Sequence, residues 1–294
     1  MRVLFDADSM VYGCGFAVQK TVYDWVALLG DEYAEGIATS KEDLEATRLL
    51  FPSGTEFTYR PVAEAEPLEN ALALVKRQCY RIEETLEKAE FSFERLEVFL
   101  TGKGNYRDEI ATIRPYKGNR LKLEKPIHYK AIRRYLRERW RAATVNGREA
   151  DDEVAIQAAS LNYDPDKVLI VSQDKDLRTV PGLLYNYRRN TYELITEKKA
   201  LENFYKQIVT GDATDNIMGI HKSGAAAADA AINSDMTEVE MYATVLALCK
   251  ASFDKKDCPY KHLTPEAVIL EFGQLLHMQR FEGDIWQPPD SRQS

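Results

Sequence analysis

The sequence predicts an α/β fold: a mostly parallel central sheet flanked by helices, followed by a helical C-terminal region. Short apolar runs at 2–8, 96–101, 167–172 and 182–187 read as buried strands. Stretches with helical spacing lie between them, and strands alternating with helices point to a parallel sheet covered on both faces. From residue 197 to about 281 the pattern is helical, apart from a turn-rich break at 210–224.

Each element has its own signal. The first run, with Val3, Leu4 and Phe5, ends in the acids Asp6 and Asp8. Residues 23–67 are acidic and interrupted by Gly30, Gly36, Pro52, Gly54 and Pro61, which reads as a surface insertion with short helices. Leu68, Leu72, Val75, Cys79, Ile82 and Leu86 recur at helical spacing over 68–88. Residues 127–140 read as a strongly basic helix and 142–145 as a brief strand. The helix expected at 151–163 opens on acids, which suit the positive end of its dipole. The alanine run from Ala225 to Ala228 continues into a helix, and no internal repeat is present.

Composition narrows the class. A chain of 294 residues, 45% of them apolar, can bury a sizeable core without crosslinks. The four cysteines, Cys14, Cys79, Cys249 and Cys258, form no CxxC pair, which fits a reducing, cytoplasmic setting. Cys249, Cys258 and His262 lack the further ligand that a structural zinc site needs. Asp6 comes too early for a signal peptide. No apolar run approaches the roughly 18 residues of a membrane span, so no membrane partner is expected. The formal net charge of −8 argues against nucleic acid, but its distribution matters more than its total. From Lys103 to Arg141, thirteen Lys and Arg stand against four acids. Cations in one segment and carboxylates in others suit an enzyme that grips phosphates beside a hard metal ion.

The acids form four clusters: Asp6 and Asp8; Glu149, Asp151 and Asp152; Asp174 and Asp176; Asp212 and Asp215. Three of these follow strands or open helices, and such positions converge beyond the carboxyl ends of parallel strands. Taken singly, an acidic helix start is often only a cap. Together, nine carboxylates at one edge would repel unless cations neutralised them. Oxygen ligands favour Mg²⁺ or Mn²⁺ over zinc. Two ions roughly 4 Å apart suit phosphodiester hydrolysis.

EADD at 149–152, SQDKDL at 172–177, GDATDN at 211–216 and YKGNR at 116–120 resemble the signature segments of the flap endonuclease and 5′–3′ exonuclease family. That family includes the 5′-nuclease domain of bacterial DNA polymerase I and short bacteriophage exonucleases. The likeness is greatest to the phage enzymes and covers residues 1 to about 230, with FGQLLHMQRF near the end resembling their closing helix. It implies a PIN-like 5′-nuclease fold. It also implies a catalytic domain over 1–195, with an acidic insertion near 24–67 and a basic arch near 103–125. Residues 196–294 would be a helical region with a helix-turn-helix element near 210–232.

Carried over by residue, the resemblance implies that Asp6, Glu149, Asp151 and Asp152 hold the first metal. Asp174, Asp176, Asp212 and Asp215 would hold or orient the second. Asp8, one strand period from Asp6, is a candidate outer-shell ligand. The family places an Asp directly after the second strand, and this chain has Thr101-Gly102-Lys103 there. Lys117 and Arg120 would contact the scissile phosphate, and Lys117 would stabilise developing charge. Asp6 and Asp151 complete the expected catalytic set. Lys103, Arg107, Arg114, Tyr116, Lys117 and Arg120 would line the arch, with cations on phosphates and aromatics on unpaired bases. Arg133, Arg134, Arg137 and Arg141 recur at helical spacing and would extend the phosphate-binding face. Gly219, Lys222 and Gly224 would bind duplex phosphates through backbone N–H groups. His221 and Lys222 stand where the family prefers small residues, which speaks against its K⁺ site.

The implied substrate is DNA with a 5′ end or flap, with RNA–DNA hybrids as a further target. Two other readings compete. FDADS resembles the nucleophile motif of haloacid-dehalogenase phosphatases, with Lys175 and Asp176 as imitators of the downstream Lys and paired acid that class needs. A DNA-binding scaffold without activity would fit the missing carboxylate after the second strand.

Overall fold

The computed structural model describes residues 1–120 and 123–289. The chain opens with β1 (Arg2–Asp6), α1 (Asp8–Ala17), β2 (Gln19–Leu29), β3 (Glu32–Ala38) and α2 (Lys41–Arg48). It continues through β4 (Glu56–Ala65), α3 (Leu68–Lys88), β5 (Leu96–Thr101), α4 (Arg107–Ile110) and α5 (Tyr129–Arg139). Next come β6 (Ala143–Val145), α6 (Ala150–Ala159), β7 (Val168–Val171), β8 (Gly182–Asn186) and β9 (Thr191–Ile195). The last four are the helices α7 (Glu197–Thr210), α8 (Ala225–Ala231), α9 (Glu238–Phe253) and α10 (Pro265–Leu276). None of the described helices is long and apolar enough to cross a membrane.

The chain divides into two compact units. One comprises residues 1–9, 82–123 and 137–294, the other 10–81 and 124–136. The first unit therefore holds the sheet and the helical residues 196–294 together. Among its described residues six strands run in the order β6-β5-β1-β7-β8-β9, parallel except for the antiparallel edge pair β8–β9. This is the mostly parallel sheet with flanking helices that the sequence predicts; β9 was not among the expected strands. Val3, Leu4 and Phe5 are completely buried, as are Leu169 and Val171. A strand covered on both faces reads as an unbroken apolar run, which is why these strands were legible. Registers pair Asp6 with Phe99, Thr101 with Val145, and Phe5 with Val171, so the carboxyl ends of four strands share one edge.

In the same unit, α7, α9 and α10 close over a core that includes Phe204, Tyr205, Met241, Val245, Phe272 and Trp286. Residues 210–232, expected as a helix-turn-helix, contain the end of α7, a turn and the seven-residue α8. Gly211 and Gly219 pack back to back there with positive φ, +69° and +67°, and a Cβ on either would overlap the other's backbone. Gly219 is buried, so its expected place among DNA-binding residues is corrected. It is glycine because two chain segments touch at that point.

The second unit corrects the reading of 24–67. Its acidic stretch is mainly a three-stranded antiparallel sheet in the order β3-β2-β4, with one short helix, α2. Gly30 and Asp31 form the two-residue hairpin turn between β2 and β3, with Gly30 at φ +71°. Tyr23, Ala38 and Leu44 form its small core, with Trp25 and Phe57 against them. Charges interrupt the alternation in β3 and β4, and so the strand period was hidden. Gly211→Ala is expected to cost on the order of 3 kcal/mol, from left-handed strain plus overlap at Gly219. Urea unfolding checks this; a loss below about 0.5 kcal/mol would contradict the packing described.

Candidate active site

The four acidic clusters meet at the carboxyl edge of the sheet. Asp6 ends β1, with its Oδ1 accepting the Asp8 N–H (3.2 Å) and its Oδ2 accepting the Ser172 hydroxyl (3.3 Å). Ser172 follows β7, and its Oγ accepts the Asp174 N–H at 3.0 Å. Asp174 Oδ1 in turn accepts the Asp176 N–H, also at 3.0 Å. These short bonds tie the first cluster to the third. Asp151 sits at the start of α6, where free N–H groups favour anions. Asp212 is held by an antiparallel bridge to Ile217 and accepts the Thr214 N–H at 2.7 Å.

Mutual repulsion shows in the protonation of these groups. Burial pushes the Asp6 carboxyl up to about 8, helped by the charges of Asp8 and Asp174. Burial also lifts Asp151 well above the ordinary carboxylate range, with Glu149, Asp152 and Asp6 adding to it. Asp176 rises to about 7 through burial and the charges of Asp174, Asp212 and Asp215. Asp215 is raised by burial and by Glu149, against the pull of Lys117. Traced in order, Asp174, Asp6, Asp151, Glu149, Asp215 and Asp176 form a closed ring of like charges, each felt by the next.

Cations answer part of this charge. Lys117 Nζ pairs with Glu149 and lies 3.7 Å from Asp215. Burial works against the charge on Glu149, yet Lys117 and Arg107 hold its carboxyl below the usual range. Arg120 Nη2 donates to Asp215 Oδ1 at 2.7 Å, and Lys175 Nζ lies 2.9 Å from Asp212 Oδ2. Lys175 thus belongs to the rim, where its partner is Asp212.

Lys117 and Arg120 reach the rim because the basic segment is laced to the GDATDN loop. The Lys117 N–H donates to the Asp215 carbonyl (2.9 Å), and Asn216 Nδ2 donates to that of Pro115 (2.9 Å). Asn119 Nδ2 donates to Ala213 O (2.7 Å) and Arg120 Nε to Thr214 O (2.9 Å). Lys117 and Asn216 both adopt positive φ, +52° and +64°. Such conformations persist where surrounding bonds over-determine them.

Several expected roles are corrected. Asp152 was expected as a metal ligand, but it is fully buried and both its oxygens take the Arg107 guanidinium. Arg107 was expected on DNA; it is 1% exposed and committed to that pair. Tyr116 was expected to stack on bases, but its ring is buried and its hydroxyl lies 2.7 Å from both Glu149 Oε2 and Asp215 Oδ2. Lys103 and Arg114 are exposed, as expected of phosphate contacts. Lys222 is exposed and pairs with Asp257 (2.8 Å), to which His221 also points; Gly224 is exposed at the start of α8. Cys249 and Cys258 are buried thiols and His262 is exposed.

The gap after the second strand has a steric cause. A Cβ at Gly102 would overlap the Asn146 side chain and the Val145 carbonyl. Asp8, the first residue of α1, reaches the same strand end, its Oδ2 accepting the Thr101 N–H at 3.0 Å. Sequence reasoning missed Ser172, and also Gln207, whose Nε2 donates to Asp176 Oδ1 at 2.6 Å. Gln207 carried no signal, since its contact is distant in sequence; Ser172 stands within SQDKDL, but its bond to Asp6 spans 166 residues.

Divalent metal fits this rim by donor chemistry. With Asp152 taken by Arg107, eight carboxylates remain as donors, and the raised proton affinity of Asp6, Asp151, Asp176 and Asp215 marks uncompensated negative charge. Among the described residues, no three Asp, Glu, His or Cys side chains already converge as a cation cage. Glu149, Asp212 and Asp215 are instead drawn to Lys and Arg partners.

Comparison with solved structures finds likeness to the 5′-nucleases of bacteriophage T5. A mutant T5 5′-exonuclease is 12% identical, with 93% of this chain and 88% of that one covered at a TM-score of 0.48. T5 5′-exonuclease with bound zinc is 16% identical over 67% of this chain and 90% of that one, TM-score 0.41. A T5 flap endonuclease pseudo-enzyme–product complex with DNA and metal ions is also 16% identical, covering 70% and 90%, TM-score 0.39. No protein-family model and no curated protein matches the sequence. Identities this low transfer no residue roles.

The raised carboxyls set a pH response. Folded Asp6 and Asp176 keep protons that unfolded carboxyls, near 3.8, have already lost. This contribution to stability is full below that value and is lost as pH rises through about 7 and about 8. In EDTA, the Tm should therefore fall between about pH 6 and pH 9, less so for Asp6→Asn, and Mg²⁺ should remove the fall. A Tm that rises over this window in EDTA would contradict the arrangement.

Proposed function

We propose that this chain is a divalent-metal-dependent 5′-nuclease that hydrolyses phosphodiester bonds in DNA. The observation that carries the reading is the ring of carboxylates at one sheet edge, with Lys117 and Arg120 held against it. A multi-carboxylate rim with a basic segment beside it suits a substrate that carries phosphates beyond the one at the site. The four ordered motifs add support.

Asp6, Asp151, Asp174 and Asp176 would hold two Mg²⁺ or Mn²⁺ ions, with Asp8, Glu149, Asp212 and Asp215 holding or orienting them. Bound there, the ions would supply Lewis acidity toward phosphate and water. The protein's own share is positioning and charge. Lys117 and Arg120 exchange a carboxylate partner for the non-bridging oxygens of the scissile phosphate, where they stabilise charge developing as water attacks phosphorus. Lys103 and Arg114, both exposed, meet flanking phosphates of the same strand. Lys222 and Gly224, exposed in the turn before α8, contact the duplex away from the cut. The substrates are duplexes with a 5′ end or flap, and the RNA strand of hybrids is a further target.

Purified protein with Mg²⁺ or Mn²⁺ should degrade 5′- and 3′-labelled duplex and flap DNA, giving a ladder that locates the cut, and EDTA should stop it. Binding without cleavage under both metals would favour the scaffold instead; turnover of small phosphomonoesters alone would exclude a nuclease. Lys117→Ala should lower kcat by about 10²-fold or more with little loss of affinity. Lys222→Ala should mainly weaken binding and flatten its salt dependence.

A further inference from the structure

Arg107 belongs to the basic segment by sequence and to the core by structure. Its guanidinium spans three stretches of chain. Both Nη atoms donate to Asp152, with Nη2 2.9 Å from Oδ1. Nε donates to the Leu275 carbonyl and Nη2 to the His277 carbonyl, each at 2.8 Å. The oxygens of Asp152 also accept the Glu149 N–H (3.3 Å, Oδ2) and the Gln279 N–H (3.2 Å, Oδ1). Nη1 lies 3.9 Å from Glu149 Oε2. The turn that presents Glu149 and Asp151 is thereby tied to the end of α10, more than a hundred residues further along the chain.

Stability alone gives little reason for such a pair. Desolvating two charges offsets much of their attraction, and apolar replacements of similar volume often leave a fold as stable or more so. What the fork supplies is direction. A planar guanidinium fixes two carboxylate oxygens and two carbonyls at once, which an ammonium cannot reproduce. The residues it fixes flank Asp151 on both sides.

We propose that Arg107 is a positioning residue for the carboxylate rim: through Asp152 it sets the aim of Glu149 and Asp151 from a frame that includes residues 275–279. The proposal rests on the nuclease reading only in taking Glu149 and Asp151 as working carboxylates. It assigns α10 and the segment after it to the catalytic frame, although none of their side chains belongs to the carboxylate rim.

Two variants test it. Arg107→Met combined with Asp152→Leu removes both charges together, and Arg107→Lys keeps the charge without the fork. The double variant should melt within a few degrees of the wild type. Its Mn²⁺ affinity by calorimetry should fall about tenfold or more. On 5′-labelled duplex its kcat should fall by at least that factor, with KM within about threefold. Arg107→Lys should move the same way, with faster amide exchange over 149–152. A folded double variant with wild-type Mn²⁺ affinity and kcat overturns the proposal. If the double variant does not fold, unchanged exchange over 149–152 in Arg107→Lys overturns it, and loss of protection there supports it. Should the wild type neither bind Mn²⁺ nor cut DNA, the nuclease reading fails, while the exchange measurement still decides whether Arg107 sets the turn.

Discussion

Like charge confined to one edge of a sheet is the constraint on which the rest of this molecule turns. Parallel register sends the ends of β1, β5, β6 and β7 to the same side, and carboxylates follow three of those ends directly or through a short loop. Left alone, nine such groups would drive the edge apart. The structure answers with raised proton affinity at Asp6, Asp151 and Asp176, with the N-terminus of α6, and with four cations brought from elsewhere. Each answer is partial. On the proposed reading, the remaining negative charge is what would draw divalent cations to the rim.

The four cations divide by burial, and the division separates scaffold from chemistry. Arg107 is sealed in and aims a turn. Lys117, Arg120 and Lys175 are partly exposed, so their pairs with Glu149, Asp215 and Asp212 can be exchanged for other anions at modest cost. Lys117 and Arg120 sit on a segment laced by backbone bonds to the loop that carries Asp215. Whatever reorients that loop moves both cations with it. On the proposed reading, a phosphate arriving at the rim would meet donors already fixed in place, which is how positioned charge contributes to rate without reorganisation.

Much of this was legible in the residues. Strand ends followed by acids located Asp6 and Asp174, and the acidic helix start located Asp151, because local rules govern those positions. Adjacent residues defeated the same reasoning. On a helix, Asp151 and Asp152 point about 100° apart, and only tertiary packing decides that one faces the rim and the other Arg107. Arg107 and Tyr116 read as surface residues of a basic run; their burial depends on partners such as Leu275 and Glu149 that no local pattern announces. Gly102 and Gly219 show the reverse lesson, since each is glycine for a close approach that sequence alone leaves unseen. The strands at 19–65 were missed because charges on β3 and β4 blurred the two-residue period.

Diffraction from crystals soaked in Mn²⁺, read at the manganese absorption edge, tests the central claim most directly. The account predicts anomalous peaks among Asp6, Asp151, Asp174 and Asp176, with Glu149 turned from Lys117 toward the metal. Peaks elsewhere on the molecule, or an unchanged rim without manganese at millimolar concentrations, would contradict it.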